Sequence, residues 1–199
     1  MLYNMRERFS KMSVKVGIVF SRLRLSPNQW TILTLVPTFV ALYFLINQSF
    51  LFAALFFLVA AFFDIIDGSV ARVTGKVTKL GAYLDTIVDR YVEGIIIIGL
   101  LFIALPTFFV PAYIWLFIYF FGAMMTTYAK AAAKEKELVE KELRGGVLER
   151  AERMILLFAG LVLAYFNTIY LVYIIVLVAV LSNISALQRI YKASRSSKK

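Results

Sequence analysis

Long apolar stretches alternate with short polar or charged segments along this chain of 199 residues. A helix that spans a bilayer needs roughly 20 mostly apolar residues. Six stretches are candidates, at residues 28–47, 50–73, 79–104, 109–133, 150–167 and 169–190. The pattern therefore predicts an all-α integral membrane protein, and we refer to these six transmembrane helices as spans 1 to 6.

A shorter amphipathic segment precedes span 1. Its apolar residues recur at helical spacing between basic ones, and they are Leu2, Met5, Phe9, Met12, Val16 and Val19. Such a pattern is typical of a helix that lies in the membrane interface. We therefore predict an N-terminal amphipathic juxtamembrane helix at 1–24, a six-helix membrane domain at 25–192 and a basic cytoplasmic tail at 193–199.

Charged residues predict the orientation of the spans. Lysine and arginine accumulate before span 1, between spans 2 and 3, between spans 4 and 5 and after span 6, whereas the segments around 47–49, 106–107 and 167–168 carry no charge. Because cytoplasmic connections carry the basic excess, both termini and the basic connections are expected in the cytoplasm. The net charge is +10, but the basic residues flank the apolar spans and do not form a single stripe. This distribution favours membrane lipids over nucleic acid as a partner.

Composition narrows the chemistry that the chain can perform. It contains neither cysteine nor histidine. Disulfides, thiolate metal sites and cysteine nucleophiles are therefore excluded. Any metal must be held by oxygen ligands, and any general base must be a carboxylate, a lysine or a tyrosine.

Four aspartates lie within spans 2 and 3, where each costs about 2.5–3.5 kcal/mol to insert. Asp64 and Asp67 are three residues apart and Asp85 and Asp89 are four apart, so each pair lies on one helix face. The two spans run in opposite directions from a short turn, so the pairs can face each other. Unprotonated carboxylates would repel strongly there, and two hard divalent cations, Mg²⁺ or alternatively Mn²⁺, would neutralise them.

Small residues and one cation accompany these aspartates. Gly68, Ala71 and Gly81 leave the backbone accessible to a ligand beside the metals, and Arg72 adds a positive charge. A carboxylate site for metal ions with glycines and an arginine beside it indicates phosphate chemistry.

Acidic residues in membrane helices have other interpretations, which are a proton relay, a salt-bridged packing device and the cation site of a transporter with internal repeats. No repeat is evident in the sequence, and a non-catalytic scaffold would leave the aspartates unexplained. Glu93, one turn after Asp89, either pairs with Arg90 or tunes the site. An enzyme is therefore favoured, with a cation- or proton-coupled transporter as the alternative.

The aspartates and small residues belong to one spaced motif, Asp64-x2-Asp67-Gly68-x2-Ala71-Arg72-x8-Gly81-x3-Asp85-x3-Asp89. This motif resembles the complete signature of the CDP-alcohol phosphotransferase family, and the six-span pattern extends the resemblance over nearly the whole chain. The resemblance implies a membrane enzyme of phospholipid biosynthesis that transfers a phosphoryl-alcohol group from a CDP-alcohol to an acceptor hydroxyl and releases CMP. Homodimers are common in this family.

The resemblance also implies roles for individual residues. Asp64, Asp67 and Asp85 would hold the metal ions, with Asp89 as the catalytic base and a further candidate ligand. The residues implied to form the nucleotide site are Asp64, Asp67, Gly68, Ala71, Arg72 and Gly81. At the start of span 1, Asn28 and Thr31 of the segment Ser26-Pro27-Asn28-x2-Thr31 either lie near the nucleotide or belong to a helix cap.

Basic residues at the predicted cytoplasmic ends of spans 4 to 6 resemble acceptor-binding positions in the inositol-phosphate-using branch of the family. They are Lys130, Arg150, Arg153 and Arg189. The family often has another basic residue in place of Ala132, and basic residues at such ends are also ordinary membrane anchors. The favoured acceptor is inositol 1-phosphate, which would receive a phosphatidyl or archaetidyl group. The alternatives are transfer from CDP-inositol to inositol phosphate, and glycerol phosphate or serine as the acceptor.

Overall fold

The computed structural model describes residues 2–139, 143 and 145–196, with the backbone alone for residues 2–11. These residues form eight helices joined by turns and short irregular segments. The helices are α1 (Leu2–Ser21), α2 (Pro27–Leu33), α3 (Leu35–Ile46), α4 (Phe50–Val73), α5 (Lys79–Leu101), α6 (Ala112–Glu135), α7 (Arg150–Ala164) and α8 (Thr168–Ser196). The prediction of an all-α protein is confirmed, and a helix forms at each predicted span.

Four helical segments of the described chain are long and apolar enough to cross a membrane. They are Pro27–Ile46, which comprises α2 and α3, Phe50–Val73, Ala112–Glu135 and Thr168–Ser196. Predicted spans 3 and 5 correspond to α5 and α7. The first of these has 23 residues but carries five charged ones, and the second has only 15 residues. Length and composition therefore support four spans directly.

Span 1 is interrupted at Thr34, which separates α2 from α3. Pro37 accounts for the interruption because it has no N–H and its ring clashes with the carbonyl group four residues earlier, that of Leu33. Thr34 and Thr38 donate their hydroxyls to the carbonyl oxygens of Trp30 and Thr34, at 3.2 and 2.8 Å. These bonds keep polar groups satisfied within an otherwise apolar segment.

The chain divides into two compact units. Residues 1–44 and 52–96 form one unit, which we call the N-terminal unit. Residues 45–51 and 97–199 form the other, which we call the C-terminal unit.

The core of the N-terminal unit includes an aromatic cluster around Trp30, which is 4% exposed. The Trp30 ring makes edge-on contacts with Phe20 of α1 and Phe63 of α4, with 5.5 Å between ring centroids in both cases. Ile66 and Val70 of α4 complete the buried cluster. Edge-to-face aromatic pairs add stabilisation beyond their buried area, so this cluster holds α1, α2 and α4 together.

Helix α1 crosses α4 at very short distance. A Cβ atom at Gly17 would lie 2.5 Å from the backbone oxygen of Ser69, so only glycine fits at this crossing. Met12 and Val19 of the predicted amphipathic face are exposed, whereas Val16 packs against the Trp30 cluster. The side chains of Leu2, Met5 and Phe9, the remaining members of that face, lie outside the described residues.

Helix α8 packs against α6 and α7 in the C-terminal unit. At Gly122 of α6, an added Cβ would lie 2.5 Å from the side-chain nitrogen of Asn183. That nitrogen donates hydrogen bonds to the backbone oxygens of Ile118 and Ala179, both at 2.9 Å. A glycine and a hydrogen-bonded asparagine therefore take the place of bulky apolar side chains where α6 and α8 meet. Small residues and polar side chains are common where helices pack in membranes.

Candidate active site

A tight turn between α4 and α5 brings the two halves of the motif together. Helix α4 ends at Val73 and is followed by Gly75, whose φ of +65° suits glycine, and the N–H of Lys76 donates to the backbone oxygen of Ala71 at 3.0 Å. This is a standard glycine-terminated helix end. At the start of α5, the Thr78 hydroxyl accepts a hydrogen bond from the N–H of Gly81 at 3.0 Å.

Three aspartates converge beside this turn. Among the described residues, Asp64, Asp67 and Asp85 form a group in which one carboxylate oxygen of each lies within 4.8 Å of the others. The prediction that the acidic faces of the two helices meet is therefore correct for these three. Asp89 is half-buried one turn further along α5 and lies outside the group that meets this distance.

The three carboxylates suit a divalent cation. Asp67 is 7% exposed, and its Oδ2 atom is buried without a hydrogen-bond partner in the described part of the chain. Negative charges at such separations repel one another, and burial makes the repulsion stronger. An orphaned buried oxygen within a cluster of hard oxygen donors is the chemistry that Mg²⁺ and Mn²⁺ prefer.

A cavity of about 400 Å³ adjoins the triad within the N-terminal unit. Most residues predicted for the nucleotide site line it, together with the turn after α4. Its lining residues are Pro27, Asn28, Thr31, Asp67, Gly68, Ala71, Arg72, Lys76, Val77, Thr78, Gly81, Ala82 and Asp85. Asp64, the remaining residue predicted for this site, belongs to the triad.

Helix α2 begins with a cap and contributes three cavity residues, Pro27, Asn28 and Thr31. Ser26 and Gln29 form the cap, with the Gln29 N–H donating to the Ser26 hydroxyl at 3.3 Å and the Ser26 N–H donating to Gln29 Oε1 at 2.7 Å. The side chains of Asn28 and Thr31 are therefore not needed for capping and line the cavity. An added Cβ at Gly81 would lie 3.1 Å from Asn28 Oδ1, so this glycine keeps the cavity open.

Glu93 and Arg90 form an ion pair within α5. Arg90 Nη1 lies 2.8 Å from Glu93 Oε2, and Glu93 is fully buried. Of the two interpretations considered for Glu93, the pairing with Arg90 is the one that the structure displays. Because the Arg90 guanidinium compensates the charge of the Glu93 carboxylate, this carboxylate can be buried.

Sequence reasoning missed the contribution of the turn. Lys76, Val77 and Thr78 line the cavity but lie between the fixed positions of the motif. The available signal was a lysine directly after Gly75, since a basic residue beside a phosphate site attracts the ligand. Motif spacing alone predicts no role for residues that lie between its fixed positions.

The basic residues predicted to bind the acceptor all belong to the C-terminal unit. Arg153 of α7 is 2% exposed. Arg189 of α8 donates from Nη1 to the backbone oxygen of Thr126 at 2.7 Å, and it interacts electrostatically with Glu149 and Arg153. The Nε atom of Arg189 is buried and has no hydrogen-bond partner among the described residues.

Lys130 and Arg150 are half-buried on α6 and α7. Lys130 lies one turn after Thr126, the residue that Arg189 contacts. The segment before α7 is tied to α8, because the N–H groups of Val147 and Leu148 donate to side-chain oxygens of Gln188 and Ser185 at 3.1 and 2.8 Å. These contacts hold the start of α7, which carries Arg150 and Arg153, to α8, which carries Arg189.

The family is established by direct comparison. Residues 24–184 match the family model described as CDP-alcohol phosphatidyltransferase, and the chain belongs to this family. It is therefore a CDP-alcohol phosphotransferase, a multi-pass membrane enzyme of phospholipid synthesis that uses a CDP-alcohol donor, an alcohol acceptor and a divalent metal. The enzyme prediction is confirmed over the transporter alternative.

Curated relatives belong to the inositol-phosphate branch. An archaetidylinositol phosphate synthase of Pyrococcus horikoshii is 34% identical over 197 residues, which cover 98% of this chain and 97% of that protein. A bifunctional IPC transferase and DIPP synthase of Aquifex aeolicus is 29% identical over 175 residues, which cover 84% of this chain and 39% of that protein.

Solved structures also match the chain. The crystal structure of Mycobacterium tuberculosis phosphatidylinositol phosphate synthase with CDP-DAG bound has a TM-score of 0.80 and 28% identity, covering 92% of this chain and 94% of that one. The same synthase in complex with manganese and citrate has a TM-score of 0.81 and 29% identity, covering 92% of this chain and 88% of that one.

Proposed function

We propose that this enzyme transfers a phosphatidyl or archaetidyl group from a CDP-lipid to inositol 1-phosphate and releases CMP. The observation that carries the proposal is the aspartate triad with its orphaned Asp67 oxygen beside a cavity lined by the family motif. The relatives named as inositol phosphate synthases support the choice of acceptor.

The donor site is proposed to use Asp64, Asp67 and Asp85 to hold two divalent cations, with Mg²⁺ preferred over Mn²⁺ and Asp89 as a further candidate ligand. When bound, such ions neutralise charge on the diphosphate that becomes the leaving group. Arg72 and Lys76 add positive charge at the cavity edge, and the small residues Gly68 and Gly81 leave room for the nucleotide.

The narrow cavity is proposed to hold the cytidine nucleotide. Asn28 and Thr31 present an amide and a hydroxyl to it from α2. Such groups suit the edge of a pyrimidine or a ribose hydroxyl. The Asn28 amide can donate and accept hydrogen bonds, and the Thr31 hydroxyl, which donates to the backbone oxygen of Pro27 at 3.1 Å, can accept one. Ala71 of α4 also lines the cavity, and its small side chain leaves room for a flat ring.

Asp89 is proposed to be the general base. It takes the proton from the acceptor hydroxyl, whose oxygen forms a bond to the β-phosphorus of the CDP-alcohol. The bond from that phosphorus to the bridging oxygen breaks, and the electron pair leaves with CMP. A positioned carboxylate base contributes typically 10²- to 10⁴-fold to such a step.

The acceptor phosphate is proposed to bind Arg153 and Arg189, with Lys130 and Arg150 adding charge. The guanidinium group matches phosphate oxygens with two parallel hydrogen bonds. Support comes from the buried Nε of Arg189, which lacks a hydrogen-bond partner in the described part of the chain, and from the electrostatic interaction of Arg189 with Arg153, which adds a second guanidinium group to the same region.

CDP-inositol as the donor is the second candidate. The bifunctional Aquifex aeolicus relative, which carries DIPP synthase activity in its name, favours it. That relative is matched over only 39% of its length, so the CDP-lipid reaction ranks first.

The membrane placement is also a proposal. We place six spans across the bilayer, α1 in the interface, and both termini and the active site on the cytoplasmic side. The proposed division remains 1–24, 25–192 and 193–199. In the proposed tail, residues 197–199 lie outside the described structure. Helix α8 extends through Ser196. We also propose a homodimer, which light scattering of the purified enzyme tests directly.

A CMP-release assay tests the proposed function. Purified enzyme receives CDP-archaeol, CDP-diacylglycerol or CDP-inositol, each paired with inositol 1-phosphate, glycerol 3-phosphate or serine, in Mg²⁺. We expect CMP only with a CDP-lipid and inositol 1-phosphate. Asp64→Asn is the matched inactive control, because it removes a proposed ligand with little change in volume. Release from CDP-inositol alone would replace the first candidate with the second, and no release from any pair would reject both.

A further inference from the structure

The Arg72 side chain is fixed by two serine hydroxyls. Its Nη2 atom donates to Ser69 of the same helix at 3.3 Å and to Ser13 of α1 at 2.7 Å. The two hydroxyl oxygens are themselves 2.8 Å apart. All three side chains thus form one polar cluster at the edge of the cavity that Arg72 lines.

Two glycines make this cluster sterically possible. An added Cβ at Gly68 would lie 3.2 Å from Arg72 Nη1, so the guanidinium folds back over the position that a larger residue would fill. At Gly17, the absence of a side chain lets α1 approach the backbone of Ser69. Gly17 is one turn after Ser13, on the same face of α1. The close helix crossing therefore carries the Ser13 hydroxyl to Arg72.

We propose that Ser13 is a positioning residue for the nucleotide site, holding the Arg72 guanidinium in the orientation that binds the CDP-alcohol. Ser13 lies outside residues 24–184, the part matched by the family model, and outside the cavity lining. It therefore acts through Arg72. This inference rests on the proposed function, because it assumes that the cavity receives the nucleotide.

The physical basis is preorganisation of a flexible side chain. A free arginine must lose rotamer freedom when a ligand orders it, whereas an arginine already held by hydrogen bonds loses less. The bonds to the serines use Nη2, and the guanidinium carries further donors on Nη1 and Nε for a phosphate. Removing the Ser13 hydroxyl should weaken donor binding roughly two- to tenfold, the range expected for one ordered side chain.

The experiment compares Ser13→Ala, Ser13→Thr and Ser21→Ala in the CMP-release assay and in CMP binding by calorimetry with Mg²⁺. Ser21 is the matched control because its hydroxyl donates to the backbone oxygen of Ile18 in its own helix, at 2.9 Å. We expect Ser13→Ala to raise KM for the CDP-alcohol and Kd for CMP while kcat stays near that of the wild type. Ser13→Thr, which keeps a hydroxyl, should restore both values, and Ser21→Ala should change neither.

The same substitutions in an Arg72→Ala background separate positioning from a general structural role. If Ser13 acts through Arg72, the double variant binds CMP as weakly as Arg72→Ala alone. Additive losses, or a lower melting temperature with unchanged KM, would overturn the proposal. Activity of the wild type in the assay keeps this outcome distinct from failure of the proposed function, in which no CDP-alcohol would yield CMP.

Discussion

Two buried acids of the α4–α5 hairpin show how a structural carboxylate differs from a binding one. Glu93 is fully buried and has Arg90 at 2.8 Å, so its charge is compensated within its own helix. Asp67 is 7% exposed, and one of its oxygens has no partner among the described residues. Because an uncompensated buried charge is strongly destabilising, the site around Asp67 favours a bound divalent cation.

Asp89 allows a direct test of base catalysis. Asp89→Asn keeps the size of the side chain but removes its ability to accept a proton, so we expect kcat to fall roughly 10²- to 10⁴-fold. The Kd for CMP should stay within a few-fold of the wild-type value, since the triad is intact. Glu135→Gln, the same charge change at an exposed residue of α6, is the control and should behave as wild type. Normal turnover by Asp89→Asn would exclude it as the base.

Arg189 tests the acceptor site. Arg189→Ala removes a charged donor whose Nε is buried without a partner in the described chain, so we expect KM for inositol 1-phosphate to rise roughly 10- to 100-fold. KM for the CDP-alcohol should change little. Arg195→Ala, at an exposed residue further along the same helix, is the matched control. An effect confined to the CDP-alcohol would contradict the assignment.

At the scale of the helices, local sequence signals predict where helices form better than they predict how the helices cross. Apolar length predicts the helices, and the short turn between α4 and α5 brings Asp64 and Asp85 together. Both signals can be read from continuous segments of the sequence. The close approaches at Gly17 and Gly122 depend on how two distant helices cross, which no local pattern encodes. For the same reason the sequence does not distinguish Ser13, which contacts Arg72, from other serines of α1.

The α6–α8 crossing yields a stability prediction. In Gly122→Ala the new Cβ would lie 2.9 Å from the backbone nitrogen of Asn183 as well as against its side chain, so the helices must separate. Overpacking of this kind costs about 1–3 kcal/mol, and we expect the melting temperature in detergent to fall by roughly 2–10 °C. Gly160→Ala is the milder comparison, since its nearest neighbour is the flexible end of Leu171 at 3.0 Å. Equal melting temperatures for Gly122→Ala and the wild type would contradict this view of the crossing.

At the scale of the whole molecule, the two units carry different parts of the proposed chemistry. The residues predicted for the metal and the nucleotide all fall in the N-terminal unit, and those predicted for the acceptor all fall in the C-terminal unit. The motif spacing indicated which residues of the first set lie together, because most of them come from two helices that a short turn joins. The second set comes from three helices, α6, α7 and α8, and only the resemblance to the family grouped its members as one site.

The proposed orientation can be measured by labelling, because the chain has no cysteine to interfere. Thr107→Cys introduces a thiol at an exposed residue of an uncharged connection, and Ser196→Cys introduces one at the exposed end of α8. The positive-inside distribution predicts that a membrane-impermeant maleimide labels Thr107→Cys on intact cells. It should label Ser196→Cys only after the cells are permeabilised. The reverse pattern would invert the topology.

Metal binding by the triad should appear in the stability of the whole molecule. A ligand present at 100 times its Kd stabilises the folded state by about 2.7 kcal/mol, so Mg²⁺ or Mn²⁺ should raise the melting temperature of the chelator-treated enzyme by roughly 5–10 °C. Asp67→Asn removes one of three repelling carboxylates that lie within 4.8 Å. With chelator, this variant should therefore melt above the wild type, and with metal it should melt below. Glu135→Gln should follow the wild type in both conditions, because its charge is exposed and is not part of the triad. If neither metal changed the melting temperature of the wild type, the metal site would lose its physical basis. The repulsion among the carboxylates would then have to be relieved in another way.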